Sequence, residues 1–151
     1  SDGRNLTRNE VRRDMKMVVE LENVSRSFQR GDEVVLALAD LSMTLAEGEM
    51  VALVGPSGCG KSTAINIVAA VDRPDSGSVR AGGVDMACAT EDELVTLRRR
   101  RIGMVFQAFH LVPHLTVEEN IVLPLALDHR RDTSRVAELL DRVGLDHRRR
   151  S

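Results

Sequence analysis

The chain has 151 residues, of which 42% are hydrophobic and 29% charged, a globular composition long enough for one ordinary domain. A formal net charge of −2 excludes a strongly basic nucleic-acid-binding protein. Two cysteines, Cys59 and Cys88, exclude a disulfide framework, lack metal-ligand spacing and indicate a reducing compartment. The longest apolar runs fall far short of the roughly 20 residues that cross a bilayer.

Residues 1–16 are polar and of mixed charge, with only Leu6, Val11 and Met15 apolar. They contain no apolar core of the kind that a signal peptide has. We therefore expect a disordered leader over 1–16, followed by a folded region over 17–151.

Two stretches after Met17 alternate apolar and polar residues, as half-buried strands do. The alternating residues are Val19, Glu20, Leu21 and Glu22 in the first stretch, and Leu41, Ser42, Met43, Thr44 and Leu45 in the second. Arg30, Gly31 and Asp32 lie in the polar break between them and are typical of a turn. The pattern predicts two strands, each with one dry and one wet face.

Residues 49–54 form a short, almost uniformly apolar run, which is typical of a strand buried on both faces of a parallel sheet. A glycine-rich loop leads from this run into a helix predicted over 61–71. The apolar positions of that helix are Ile65, Ile67, Val68 and Val71. Residues 102–106 predict a second short buried strand.

Two capping boxes predict helix starts, because a Ser or Thr followed three residues later by Glu satisfies free N–H groups reciprocally. Thr90 with Glu93 opens a helix that extends to about Arg100, and Thr116 with Glu119 opens another. A last amphipathic helix ends at Gly144, a suitable residue for a helix C-terminus. Its apolar face comprises Val136, Leu139, Leu140 and Val143.

One motif carries clear chemistry, the phosphate-binding loop G-x-x-x-x-G-K-[ST], which lies between the predicted strand and helix. Its residues are Gly55, Pro56, Ser57, Gly58, Cys59, Gly60, Lys61, Ser62 and Thr63. Glycines allow backbone N–H groups to surround phosphate oxygens without a Cβ in the way. The following helix N-terminus favours the same anion.

The polar side chains of this loop have distinct expected roles. Lys61 places a compact ammonium against the β- and γ-phosphates, where a planar guanidinium would substitute poorly. Lysine occurs only at Lys16 and Lys61 among 21 basic side chains, so its use here fits a specific requirement. Ser62 is expected to bind Mg²⁺ through its hydroxyl, and Thr63 to bond phosphate. Cys59 is interpreted as a small loop residue, with a redox role as the alternative; an ordinary glycine-rich turn is the alternative for the whole motif.

On these residues the chain, from about Met17 onward, resembles the nucleotide-binding subunit of ABC transporters, most closely the lipoprotein-release and macrolide-export branch. The matching segments are 21–24, 48–63, 73–77, 100–107 and 111–120. The resemblance implies an α/β fold: a P-loop NTPase core with an N-terminal antiparallel β subdomain and the start of an α-helical subdomain. It implies ATP and Mg²⁺ as cofactors, and ATP binding and hydrolysis coupled to transport across the cytoplasmic membrane.

The resemblance also implies roles for two residues outside the loop. Phe28 occupies the position of the family's adenine-stacking aromatic, usually Tyr, and stacking worth about 1–3 kcal/mol needs no hydroxyl. Gln107 corresponds to the glutamine that contacts Mg²⁺ and the attacking water, which makes Lys61 and Gln107 the expected catalytic residues and Ser62 and Gln107 the expected metal ligands. The alternatives are a core residue at a strand end for Phe28 and a polar strand cap for Gln107.

The expected partners follow from the same resemblance. An apolar surface within residues 109–115 would dock a transmembrane permease subunit, and a second nucleotide-binding subunit would complete an ATP-sandwich dimer. The surface residues are Phe109, His110, Leu111, Pro113 and Leu115. We expect a location on the inner face of a bacterial cell membrane, and no nucleic-acid partner, because the arginines from Arg98 to Arg101 are interpreted as a solvated helix face.

Several of the family's hydrolytic elements are missing from the 151 residues. The sequence has no Leu-Ser-Gly-Gly-Gln signature, no apolar run ending in Asp-Glu, and no later switch histidine. We therefore expect the N-terminal part of a nucleotide-binding domain, able to bind ATP but defective in hydrolysis. The alternatives are a non-catalytic nucleotide-binding fragment or regulator, and another P-loop enzyme such as a nucleotide kinase. The β-rich region before the loop and the spacing from Lys61 to Gln107 argue against the kinase.

Overall fold

The structure is a computed structural model that describes residues 16–129 and 133–151. The leader expected over 1–16 lies outside the described residues except for Lys16. That residue already belongs to the fold, since its carbonyl oxygen accepts a 2.9 Å hydrogen bond from the Glu47 N–H. The chain forms two compact units, the first ending at Gly103 and the second beginning at Met104.

The first unit is organised by an antiparallel sheet. Its strands are β1 (Met17–Arg30), β2 (Glu33–Ala46), β3 (Ser76–Ala81) and β4 (Val84–Asp85), in the order β2-β1-β3-β4. Val19 and Leu21 are buried while Glu22 is exposed, so the predicted alternation is confirmed. The turn at Gly31 and Asp32 is also confirmed, with Gly31 at φ 62°. The N-terminal antiparallel β subdomain is therefore present, with strands longer than the sequence pattern indicated.

Two helices pack on this sheet. Helix α1 (Lys61–Val68) is three residues shorter than predicted, because the chain turns at Ala70, which has a φ of 55°. Helix α2 (Glu91–Arg100) begins with the predicted Thr90 and Glu93 capping box. The core between sheet and helices consists of Val19, Leu21, Val24, Leu38, Ala64, Ile67, Ala70, Val79, Ala81, Met86, Leu94 and Leu97. Through Ala64, Ile67 and Ala70 it fixes α1 relative to the sheet.

Two sequence predictions are wrong. Residues 49–54 and 102–106 form no strand, and among the described residues the sheet includes neither segment. Val54 is 92% exposed and Val105 is 98% exposed. A strand exists only where its backbone pairs with a neighbour. These apolar segments find no such neighbour in the described part of the chain and stay irregular.

The second unit is helical. It contains α3 (Val117–Leu127), α4 (Ser134–Arg142) and a short 3₁₀ helix, Asp146–Arg148. The Thr116 and Glu119 capping box at the start of α3 is confirmed. Gly144 has a φ of 70°, as expected beyond a helix C-terminus.

The buried face of α4 is narrower than its sequence pattern indicated. Val136 and Leu140 are buried, whereas Leu139 and Val143 are exposed. Val136 and Leu140 lie four residues apart and therefore on the same side of the helix, and only that side is buried. An Arg149–Glu118 ion pair joins the end of this unit to the first turn of α3 and lowers the pKa of the Glu118 carboxyl. Within the residues described here, no helix has the length and apolarity needed to span a membrane.

Candidate functional site

The phosphate-binding motif lies between β2 and α1, at a point where backbone approaches backbone. Gly60, the residue before α1, has a φ of 89°, in the region that favours glycine. A Cβ at this position would lie 2.1 Å from the Ala37 carbonyl oxygen and 2.8 Å from Leu38 Cδ2. The last glycine of the motif is therefore required by the contact of the loop with β2.

Lys61 is bound by the loop that precedes it. Its Nζ donates hydrogen bonds to the carbonyl oxygens of Gly55 at 2.8 Å and Pro56 at 2.6 Å. The free thiol of Cys59 lies 3.6 Å from the same nitrogen. The ammonium thus closes the loop into a ring, and its protons are shared with neutral acceptors. Anionic phosphate oxygens are stronger acceptors than these carbonyls.

The N-terminus of α1 lacks the side-chain acceptors that cap the starts of α2 and α3. Gly60 caps it without a side-chain hydrogen bond, and its first turn contains no acidic residue. By contrast, α2 and α3 are each closed by a capping box and carry acidic residues in the first turn, whereas α4 shares the open start of α1. Ser62 is exposed and Thr63 is half-buried in the first turn of α1. An uncapped helix end beside an ammonium fits a bound phosphate group.

Phe28 lies near the end of β1, opposite Val35 of β2. Its side chain is 40% exposed, so the core-residue alternative does not describe it. The guanidinium carbon of Arg26 lies 4.8 Å from the centre of its ring. The ring is thus contacted by a cation and also open to solvent.

Gln107 belongs to the second unit, whereas Lys61 and Ser62 belong to the first. Its side chain is exposed and no strand precedes it, so it is not a strand cap. Beside it, the rings of Phe106 and His110 have centroids 4.5 Å apart. Its expected contact with Mg²⁺ stays a prediction.

The segment expected to dock a permease, residues 109–115, is exposed except for the half-buried Leu115, and it is ordered by hydrogen bonds. Phe109 is 91% exposed. The Asn120 side chain of α3 accepts a 2.8 Å hydrogen bond from the Val112 N–H and donates to the carbonyl oxygens of Val112 and Leu115 at 3.2 and 3.0 Å. Asn120 had no predicted role, although it ends the segment 111–120 that matches the family.

Comparison with known proteins shows the family to which this chain belongs. The ABC transporter family profile matches residues 38–151, and the chain belongs to that family. Among relatives, it is 44% identical over 137 residues to the macrolide export ATP-binding/permease protein MacB of Shigella flexneri, covering 89% of this chain and 21% of that protein. The corresponding protein of Escherichia coli K12 is 42% identical over the same share. The chain therefore spans about a fifth of these relatives.

A solved structure shows the same fold. The ATP-binding cassette MJ0796, in a dimeric post-hydrolysis state bound to ADP and Pi, superposes with a TM-score of 0.78 at 38% identity. The match covers 87% of this chain and 60% of that one. This match confirms the α/β fold of a P-loop NTPase. Together with the MacB relatives, it confirms a macrolide-export-like ABC ATP-binding domain. This family membership argues against the nucleotide-kinase alternative.

Proposed function

We propose that the chain binds ATP together with Mg²⁺ at residues 55–63, as the ATP-binding part of an ABC transporter. The observation that carries the proposal is the Lys61 ammonium, held at 2.6–2.8 Å by loop carbonyls beside an uncapped helix N-terminus. Calorimetric titration with ATP and Mg²⁺ tests it. Saturable binding of one nucleotide per chain is expected, and no detectable heat at millimolar nucleotide would contradict it.

Different residues of the loop are proposed to contact different parts of the bound Mg²⁺-ATP. Lys61 exchanges the Gly55 and Pro56 carbonyls for β- and γ-phosphate oxygens, and the N–H groups of the loop and α1 add further donors. The Ser62 hydroxyl and the Gln107 side-chain oxygen are the proposed Mg²⁺ ligands, oxygen donors of the kind this ion prefers. Bound Mg²⁺ neutralises charge that develops on the phosphates. Thr63 is proposed to bond phosphate from the same helix turn.

Phe28 is proposed to stack on the nucleotide base. Replacing Phe28 with alanine is expected to weaken ATP and GTP alike, by about 5- to 150-fold, since stacking depends little on base identity. Competition against a fluorescent nucleotide measures both affinities. Phe109→Ala, which removes an exposed ring in the second unit, is the matched control and should leave them unchanged. A loss confined to ATP would indicate hydrogen-bond recognition of the base instead.

The 151-residue chain alone is proposed to bind ATP without efficient hydrolysis. Its sequence contains neither the signature loop nor an apolar run ending in Asp-Glu, through which the family positions Mg²⁺ and water. A phosphate-release assay is expected to show a rate indistinguishable from that of Lys61→Ala. Turnover well above that of the Lys61→Ala control would refute the proposal.

The proposed cellular role is to energise transport across a bacterial membrane from its inner face. The exposed 109–115 segment, ordered by Asn120, is the proposed contact with a permease. A second ATP-binding domain is the other proposed partner, supported by the dimeric state of the related cassette. Macrolide export is named for the MacB relatives, and an export role of this kind is the proposal for the present chain.

A further inference from the structure

The Arg26 side chain is held in place by two aspartates distant in sequence. Its Nε and Nη2 donate to the two carboxylate oxygens of Asp72 at 3.1 and 2.9 Å, a bidentate arrangement. Its Nη1 donates to Asp75 Oδ1 at 2.6 Å. Three guanidinium donors are therefore used, which fixes the plane of the group and not only its charge.

The acceptors of this network are themselves anchored. Asp75 Oδ2 accepts hydrogen bonds of 2.6 Å from both the N–H and the hydroxyl of Ser27. These bonds, with that from Arg26, hold the pKa of Asp75 at about 2, below its usual range. The carboxylate is therefore ionised at neutral pH. The Asp75 N–H also donates to the Ser25 carbonyl oxygen at 2.9 Å, so β1 and the segment after α1 are bonded through both backbone and side chains.

The same guanidinium lies against the Phe28 ring. Arg26 and Phe28 are two residues apart on β1, and the Arg26 Cζ is 4.8 Å from the ring centre. A cation at this distance is attracted by the negative π-face of an aromatic ring. Asp72 and Asp75 lie in the segment that follows the C-terminus of α1. The contacts of Arg26 therefore connect the Phe28 ring to that segment.

We propose that Arg26 is a positioning residue for nucleotide binding: it covers one side of the Phe28 ring and, through Asp72 and Asp75, fixes that ring relative to α1. This inference rests on the proposed stacking of a base on Phe28. Arg26 acts through Phe28 and the two aspartates, and not by touching phosphate. Its loss should therefore affect ligands that have a base and spare those that consist of phosphate alone.

The test compares Mg²⁺-ATP with Mg²⁺-tripolyphosphate, which carries the phosphates but no base. We expect Arg26→Ala to weaken ATP binding by about 3- to 10-fold while tripolyphosphate binds as before. The affinity ratio, defined as the affinity for ATP divided by that for tripolyphosphate, should therefore fall. Arg26→Lys, which keeps the charge but loses the bidentate fork, should give a smaller fall. A merely structural role would weaken both ligands and leave the ratio unchanged, which would overturn the inference.

Arg98→Ala is the matched control. The Arg98 guanidinium is likewise ordered, by a 2.7 Å hydrogen bond to the Ala70 carbonyl oxygen and an ion pair with Glu91. It belongs to the same unit but to neither the loop nor the Arg26 network. Its replacement should leave the affinity ratio unchanged, even where it lowers thermal stability. A ratio that falls equally in Arg98→Ala would overturn the inference.

A double-mutant cycle separates this inference from the proposed function. With the ring removed in Phe28→Ala, the further change Arg26→Ala should leave the ratio unaltered, because the two residues act as a pair. If Phe28→Ala itself leaves the ratio unchanged, the stacking proposal fails. If Phe28→Ala lowers the ratio and Arg26→Ala does not, only the role of Arg26 fails. Asp75→Asn, which retains both residues, provides a second variant if Arg26→Ala does not fold, and it too should lower the ratio.

Discussion

Replacing Lys61 with alanine is expected to weaken ATP binding by about 10- to 150-fold, the effect of removing a hydrogen-bonding partner from a charged group. The reason is electrostatic: the ammonium is the cation that the loop itself binds, through Gly55 and Pro56. Without it, the phosphates are left with backbone donors alone. Equilibrium titration with a fluorescent ATP analogue measures the loss.

The chain offers a close control for this substitution. Lys16 is the other lysine, exposed and 4.0 Å from the Glu47 carboxylate. Lys16→Ala changes the net charge by the same amount and should leave ATP affinity unchanged. Lys61→Arg keeps the charge but replaces a compact ammonium with a planar group, and little affinity should be recovered. An unchanged affinity in Lys61→Ala would remove the loop from consideration as the phosphate site.

Replacing Gly60 with alanine is expected to lower the free energy of unfolding by about 2–5 kcal/mol. Part of this cost is the left-handed backbone, about 1–2 kcal/mol for a residue with a Cβ, and the rest is overpacking against β2. The Ala37 carbonyl oxygen, 2.1 Å from the new Cβ, belongs to backbone and cannot rotate away as a side chain would. Urea denaturation followed by circular dichroism measures the change.

Gly83→Ala separates the two contributions. Gly83 has a φ of 84°, close to the 89° of Gly60, but a Cβ there would meet nothing within 4 Å. It should therefore show the backbone cost alone, about 1–2 kcal/mol. Equal losses in the two variants would mean that the loop does not approach β2 closely. In Gly60→Ala we also expect weaker ATP binding, because a displaced loop moves the N–H groups at the start of α1.

These two substitutions test two different properties of the phosphate-binding loop, its charge and its contact with the sheet. Lys61 supplies charge to the site, whereas Gly60 allows the loop to lie against the sheet that supports it. Both residues belong to one sequence motif, which predicts phosphate binding. Only the structure distinguishes them, since the close contact of Gly60 involves Ala37 and Leu38, which the motif does not include.

Features that depend on a few consecutive residues could be predicted from the sequence. Both capping boxes formed where expected, because Thr90 and Glu93, like Thr116 and Glu119, exchange their hydrogen bonds within a single turn. The turn at Gly31 and the helix end at Gly144 follow equally from local backbone preference. The phosphate-binding motif belongs to this class too, as its chemistry is carried by adjacent residues.

Features that depend on distant partners could not be predicted in this way. Residues 49–54 and 102–106 have the composition of buried strands, yet a strand forms only by pairing, and composition does not say whether a neighbour is in place. Strand β3 was missed for the opposite reason, since Ser76–Ala81 contains little apolar pattern and is held by pairing with β1.

The Arg26 network shows the same division at the candidate site. The phosphate-binding motif predicted roles for Lys61 and Ser62, and the family resemblance implied roles for Phe28 and Gln107. Neither gave a reason to connect Arg26 with Asp72 or Asp75. The sequence by itself determined local structure, such as the residues at which α2 and α3 begin, and it named the candidates for phosphate binding. The tertiary structure decided which of them meet, because the contacts from Arg26 to Asp72 and Asp75 span 46 and 49 residues and arise only when the sheet and α1 pack together.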